Sequence, residues 1–352
     1  MKTTHYLALA ALLGAAAPGG AAAQVQLNGA GATFPNIIYQ DWMLTYNQTH
    51  PDVKLNYQSI GSGGGIRQFS DGTVDFGGTD APMTDSAIAA IGSNVLHIPT
   101  VMGAVVAIYN LQGVSQAVKF TPDVLADIFL GKITKWNDAR LASINAGVTL
   151  PAADIIVVHR ADGSGTSYVF TDYLSKVSPE WQQKVGKGPS VNWPVGLGGR
   201  GNEGVASTVS QTPGAIGYVE LAYATSNKIQ FGTLRNSAGN WITPSLDAVT
   251  AAAAGAMKAM GPNTDFRVSI TNSSGAQAYP IASFTWFLLH KSYADTAKAR
   301  ALVQFVWWAE GEGQAKAPQL GYAPLPQELH PWIQARLKSI MAGGRPVLKA
   351  AE

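Results

Sequence analysis

The chain predicts an α/β protein of two domains that share a crevice. Strand and helix patterns alternate along most of its length. Its 352 residues exceed one ordinary domain of roughly 150. Glycine-bearing polar loops also recur where a strand pattern gives way to a helix pattern, the place where open α/β sheets bind ligands.

The elements follow in chain order. Lys2, the uncharged run Tyr6 to Ala17 and the small residues Ala21-Ala22-Ala23 read as a cleaved secretory signal, residues 1–23. Pro18-Gly19-Gly20 interrupts the apolar run well short of the about 20 residues a spanning helix needs. The mature chain then begins near Gln24. After "GAGATFP" (29–35), Pro35 opens a helix whose Ile38, Trp42, Thr45 and Tyr46 share a face. "DVKLNYQSI" alternates as a half-buried strand does and runs into "IGSGGG" (60–65). "VDFGG" (74–78), "VMGAVVAIYN" and "IIVVH" (155–159) are short apolar runs of the buried-strand kind. Thr121 and Pro122 start a helix with Val124, Leu125, Ile128 and Phe129 on one face, stopped by Gly131. "RADGSGTS" (160–167) leads into another, carrying Val169, Phe170, Tyr173, Leu174 and Val177. "GLGGRG" (196–201) reads as a helix-opening turn, and "IASFTWFLLHK" as a late strand.

Composition removes several classes of function. There is no cysteine, which excludes disulfides, thiolate metal sites and a cysteine nucleophile. The formal charge of +2, less Lys2 of the leader, and the absence of a basic run give no sign of nucleic-acid binding. "GLGGRG" matches the dinucleotide fingerprint, but Trp193-Pro194-Val195 before it makes a poor strand, and no P-loop occurs, so no cofactor is expected. No His-x-x-x-His or Asp/His cluster suggests a metal. A serine hydrolase is the enzyme alternative. Ile60 and Asp162 stand where a nucleophile elbow around Ser62 or Ser164 needs glycine. His97, His159 and His290 lie in apolar, strand-like runs, as core or edge histidines do.

The three loops at 29–35, 60–65 and 160–167 share a chemistry. Each leaves backbone N–H groups free at a helix start, where the dipole adds partial positive charge and an oxyanion is the natural guest. Thr33, Ser62, Ser164 and Thr166 add hydroxyls, and Arg160 adds a planar fork that Asp162 is placed to orient. Glycine and serine before one helix are often mere capping. Three such loops with an arginine argue for an anion cradle.

The segments "GAGATFP", "NYQSIGSGGG", "TVDFGGTDAP", "LGKITKWND", "RADGSGTSYVFTDYL", "WPVGLGGRGNEGVA" and "PGAIGYVE", in that order, resemble those of the periplasmic phosphate-binding proteins, the substrate-capturing components of phosphate ABC transporters. The resemblance runs from Gly29 to about Pro326. It implies a two-lobed periplasmic-binding-protein fold of type II, with the ligand crevice between the lobes: 24–100 plus 278–352 in one, 101–277 in the other. It implies a non-enzymatic, monomeric protein that binds inorganic phosphate and serves a membrane permease and an ATPase. By its motifs, Thr33, Phe34, Ser62, Asp80, Arg160, Ser164, Gly165 and Thr166 would contact the anion, with Asp162 the partner of Arg160. Asp80 is the member that anion chemistry alone would not choose. Phosphate ionises near neutrality, roughly pH 6 when esterified, and so keeps a proton that a carboxylate accepts; sulfate keeps none and would be repelled. Two departures stand out: Gly63 lies where the family often has a second serine, and His159 where a basic residue often precedes the arginine. The stretch 250–277 matches poorly and reads as a variable surface segment.

Overall fold

The structure, a computed structural model, describes residues 24–257 and 259–348; the expected leader, 1–23, lies outside the described residues. One sheet of nine strands organises them. In chain order these are β1 (Val25–Gly31), β2 (Val53–Ser59), β3 (Phe76–Thr79), β4 (Leu96–Tyr109), β5 (Ile156–Arg160), β6 (Leu197–Gly199), β7 (Ala215–Glu220), β8 (Gln230–Phe231) and β9 (Ala282–Leu289). The alternation in "VKLNYQS" does what period two requires: Val53, Leu55 and Tyr57 are buried while Lys54, Asn56 and Gln58 are exposed.

The strand order β2-β1-β3-β9-β4-β7-β5-β6, with β8 also on β4, explains where the loops go. β1, β2 and β3 run parallel, with Gly31 level with both Ser59 and Gly78, so the three chains leave the sheet at one height. On the other side β7, β5 and β6 are parallel, and Arg160 at the end of β5 is level with Gly199. β4 joins the two sets. Its first part, Leu96–Ala104, pairs antiparallel with β9, and Val105–Tyr109 with β7. Every residue of β4 but the first is buried, and the strand starts before "VMGAVVAIYN" does.

The helices that matter for the site follow these strands: α1 (Asn36–Thr49) after β1, α2 (Ser62–Ser70) after β2, α3 (Pro122–Phe129), α4 (Gly165–Val177) after β5, α5 (Gly201–Gln211) after β6, α6 (Leu246–Ala256) and α7 (Thr296–Glu310). Pro122 opens α3 as expected, although the Thr121 side chain makes no capping bond. Large side chains fill both ends of the core. Tyr39 and Trp42 of α1 stack at 5.8 Å under β9, and Trp136 donates Nε1–H to Gly214 O at 2.9 Å beneath β7.

Two expectations change. "GLGGRG" contains the strand β6, because the backbone of Leu197–Gly199 pairs with β5; the segment is a strand–turn–helix rather than only a turn. The stretch 250–277 is more than a surface segment. It starts within α6 and continues as an irregular strap with Phe266, Ile270 and Thr271 buried. Thr271 donates to Asp172 of α4 at 2.6 Å, while the Arg267 guanidinium donates to Met83 O and meets Asp85, each at 2.7 Å. The strap thereby ties α4 to the chain beyond β3.

Candidate anion-binding site

The loop between β1 and α1 holds Thr33 and Phe34, buried, with Tyr322 donating to Phe34 O at 2.7 Å and Tyr223 to Thr33 O at 2.6 Å. The second loop turns at Gly61, whose φ of +86 places it where only glycine is unstrained; a β-carbon there would also overlap Asp162. Ser62 then opens α2, and its Oγ accepts from Asp80 N–H at 3.2 Å. From the opposite side, Ser164 caps α4, accepting from Ser167 N–H at 3.0 Å, and Gly165 and Thr166 occupy the first turn, whose N–H groups have no helical partner.

The structure brings all the expected site residues into one cluster, buried except for the half-buried Asp162. The Arg160 guanidinium lies across the carboxylate of Asp162, with Nε at 2.8 Å and NH2 at 2.5 Å, and its remaining face reaches Thr33 Oγ1 at 3.2 Å and Thr166 Oγ1 at 3.5 Å. Burial pushes the Asp162 carboxyl up, but the bonds and charge of Arg160 and the Gly201 N–H outweigh it and hold the group below its ordinary value. The loops also touch directly, Gly63 N–H donating to Gly163 O at 2.9 Å. A serine at position 63 would thus set its side chain against the Gly163 backbone, 3.2 Å from its Cα. His159 faces away: its ring stacks on Trp193 at 4.9 Å.

Asp80 is the singular member. It is 1% exposed, and its Oδ1 accepts from Thr285 Oγ1 at 3.1 Å. Its Oδ2 is buried with no protein partner among the described residues, directed at the backbone of Gly165, where a β-carbon would overlap both Oδ2 and Ser62 Oγ. Burial raises its pKa from 3.8 to about 7, against the lowering effects of Arg160, Thr285 and Ser62. A cavity of about 180 Å³ adjoins it, lined also by Tyr168, Asp172, Lys187, Arg267 and Trp286.

Sequence reasoning missed one residue. Asn202, fully buried at the start of α5, donates Nδ2–H to Thr33 Oγ1 at 2.6 Å and to Thr166 Oγ1 at 3.1 Å. Recognising β6 inside "GLGGRG" would have marked "GRGNEG" as a fourth loop feeding a helix N-terminus.

A sheet whose two sets of parallel strands point their loops at a common point, joined through one long shared strand, defines the two-lobed solute-binding class, type II. Residues 16–309 match the PBP superfamily domain. The chain is 46% identical over 312 residues to the phosphate-binding protein PstS of Xylella fastidiosa, covering 88% of this chain and 84% of that one. It is 45% identical over 316 residues to the PstS of Pasteurella multocida, covering 89% and 90%. The fold is also that of a high-affinity periplasmic phosphate-binding protein solved with phosphate bound, at a TM-score of 0.69 and 21% identity over 92% of this chain and all of that one. The phosphate-binding protein of Stenotrophomonas maltophilia superposes with a TM-score of 0.66 at 19% identity, covering 89% and 93%. The chain belongs to the PstS family of phosphate-binding proteins.

Proposed function

We propose that the chain captures inorganic phosphate in the periplasm, after loss of residues 1–23, and presents it to the permease and ATPase of a phosphate ABC transporter without chemical change. The observation that carries the reading is the lone Asp80 Oδ2. A buried arginine, two threonine hydroxyls and the N-termini of α2 and α4 call for an anion. A carboxylate oxygen without a partner among those donors suits only an anion that brings its own proton. Monohydrogen and dihydrogen phosphate do; sulfate does not.

In this reading Thr33, Phe34, Ser62, Arg160, Ser164, Gly165 and Thr166 donate to the anion, Asp80 accepts from it, and Asp162 fixes the guanidinium. The lobes are 24–100 plus 278–352 and 101–277, with closure about the crossing β4 and β9 burying the ligand so that the transporter senses a changed shape. A binding role over hydrolysis is supported by how the serines and histidines are engaged. Ser62 and Ser164 accept from the N–H groups of Asp80 and Ser167, His97 from Met83 N–H, and His290 lies against Asn94 O. The test is calorimetric titration of anion-stripped protein with phosphate and then sulfate, repeated on Asp80→Asn. Phosphate binding without sulfate binding, with discrimination narrowed in the variant, is expected. No phosphate heat from folded, empty protein would overturn the proposal.

A further inference from the structure

A threonine hydroxyl can face an anion usefully only if its proton points that way, and the cluster shows what decides this. Thr33 Oγ1 lies within reach of three donors: Asn202 N–H at 3.2 Å, Asn202 Nδ2–H at 2.6 Å and Arg160 NH1 at 3.2 Å. Thr166 Oγ1 receives Asn202 Nδ2–H at 3.1 Å and Arg160 NH1 at 3.5 Å. None of these nitrogens can accept a proton. Each hydroxyl is therefore used as an acceptor on its protein side, and its own O–H is left to donate into the space where the site's other donors converge.

The orientation of the Asn202 amide is itself fixed. Its Oδ1 accepts from the backbone N–H of Glu220 at 2.9 Å, so the oxygen faces β7 and the NH2 group, with one proton for each threonine, faces the hydroxyls. The alternative flip would set two donors against each other at Glu220 and leave a buried N–H unpaired. Asn202 also stands between the elements. It begins α5, leans on the end of β7, and reaches a threonine of the β1–α1 loop and another of α4.

We infer that Asn202 is a positioning residue that sets the polarity of the site, holding the hydroxyls of Thr33 and Thr166 as donors toward the bound anion. This rests on the reading of the cluster as a phosphate site. The residue acts through the two hydroxyls, and its removal leaves them free to turn their protons inward.

The test is a double-mutant cycle on the purified chain, with phosphate affinity measured by calorimetry for wild type, Asn202→Ala, Thr33→Val and the pair. Asn202→Ala is expected to weaken binding about tenfold, and the same change in the Thr33→Val background threefold or less, because one of the two hydroxyls it acts on is gone. Equal losses in both backgrounds would overturn the inference, since a general packing role is indifferent to the valine. Asn202→Asp keeps the shape and the Glu220 contact, and carries the cycle if the alanine variant does not fold. Its carboxylate draws the hydroxyl protons inward, so its loss should shrink at least threefold once Thr33 is valine; an unchanged loss is charge alone and counts against the proposal. Wild type that takes no phosphate removes the site reading and this inference together, whereas phosphate binding with additive losses removes only this inference.

Discussion

Replacing Asp80 by asparagine should make the empty protein more stable, by an amount that grows as pH rises from about 4 to about 7. Burial lifts the carboxyl from 3.8 to about 7. Between these values the folded chain keeps a proton that the unfolded chain has released. Stability therefore falls as pH rises through that window, and the whole penalty is present above pH 7. A shift of about three units, at about 1.4 kcal/mol each, is a penalty of about 4 kcal/mol. Asparagine has the same shape and never ionises. The gap between variant and wild type should be near zero at pH 4 and should approach about 4 kcal/mol at pH 8. Glu310, buried and held above its ordinary value by desolvation, shapes both profiles alike; Glu220, raised by burial and in part by the Asp80 charge, is relieved by the substitution and widens the gap in the same direction. Urea unfolding of anion-stripped wild type and Asp80→Asn at pH 4 and pH 8 measures it. A gap equal at the two pH values, or a variant less stable at pH 8, would refute the assignment of Asp80 as a carboxylate kept in the site against its own desolvation.

Three other outcomes follow from the geometry. Arg160→Lys keeps the charge but loses the paired contact with Asp162 and the reach to Thr33; phosphate affinity by calorimetry should fall about a hundredfold or more, as losses of roughly 2–5 kcal/mol at buried charge pairs imply. Gly165→Ala introduces a β-carbon that overlaps Asp80 Oδ2 and Ser62 Oγ, so the variant should fold with a normal circular dichroism spectrum yet fail to compact on adding phosphate in X-ray scattering. Trp136→Ala empties a fully buried position and removes one of the two hydrogen bonds to Gly214 O, and should cost about 3–5 kcal/mol in urea unfolding while phosphate affinity stays within threefold.

How much of this was legible beforehand depends on the range of the interaction. Period-two alternation around Leu55 and the helix starts at Pro35 and Pro122 are local, and the elements they announce are present with ends displaced by a residue or two. The coming together of Thr33 with Ser62 was legible because parallel strands put successive βα loops at the same end; their meeting with Arg160 and Thr166 was not, since those lie on the opposed set of strands that reaches the site only through the shared β4. β6 was not, since three residues dominated by glycine have no strand propensity of their own and are held by pairing to β5. Asn202 went unseen for the same reason. The strap defeated pattern reading differently: Phe266 and Ile270 show no period because its order comes from partners such as Asp172 and Met83, distant in sequence. Asp80 entered through family resemblance alone, for nothing local distinguishes a ligand-facing aspartate from a turn residue before proline.

The place of β9 has a consequence for how the chain can be built. It lies between β3 and β4, pairing with both, although more than 170 residues separate it from β4 along the chain. A polypeptide emerging from its N-terminus can form β1, β2 and β3 early, but the slot beside β4 stays vacant until Leu289 has been made. During that interval the inner edges of β3 and β4 expose unpaired backbone, the kind of edge that recruits other strands. A protein threaded this way joins the two parts of its sheet late. Its vulnerability to aggregation should therefore be concentrated in chains truncated before β9, and should vanish over the few residues that complete it.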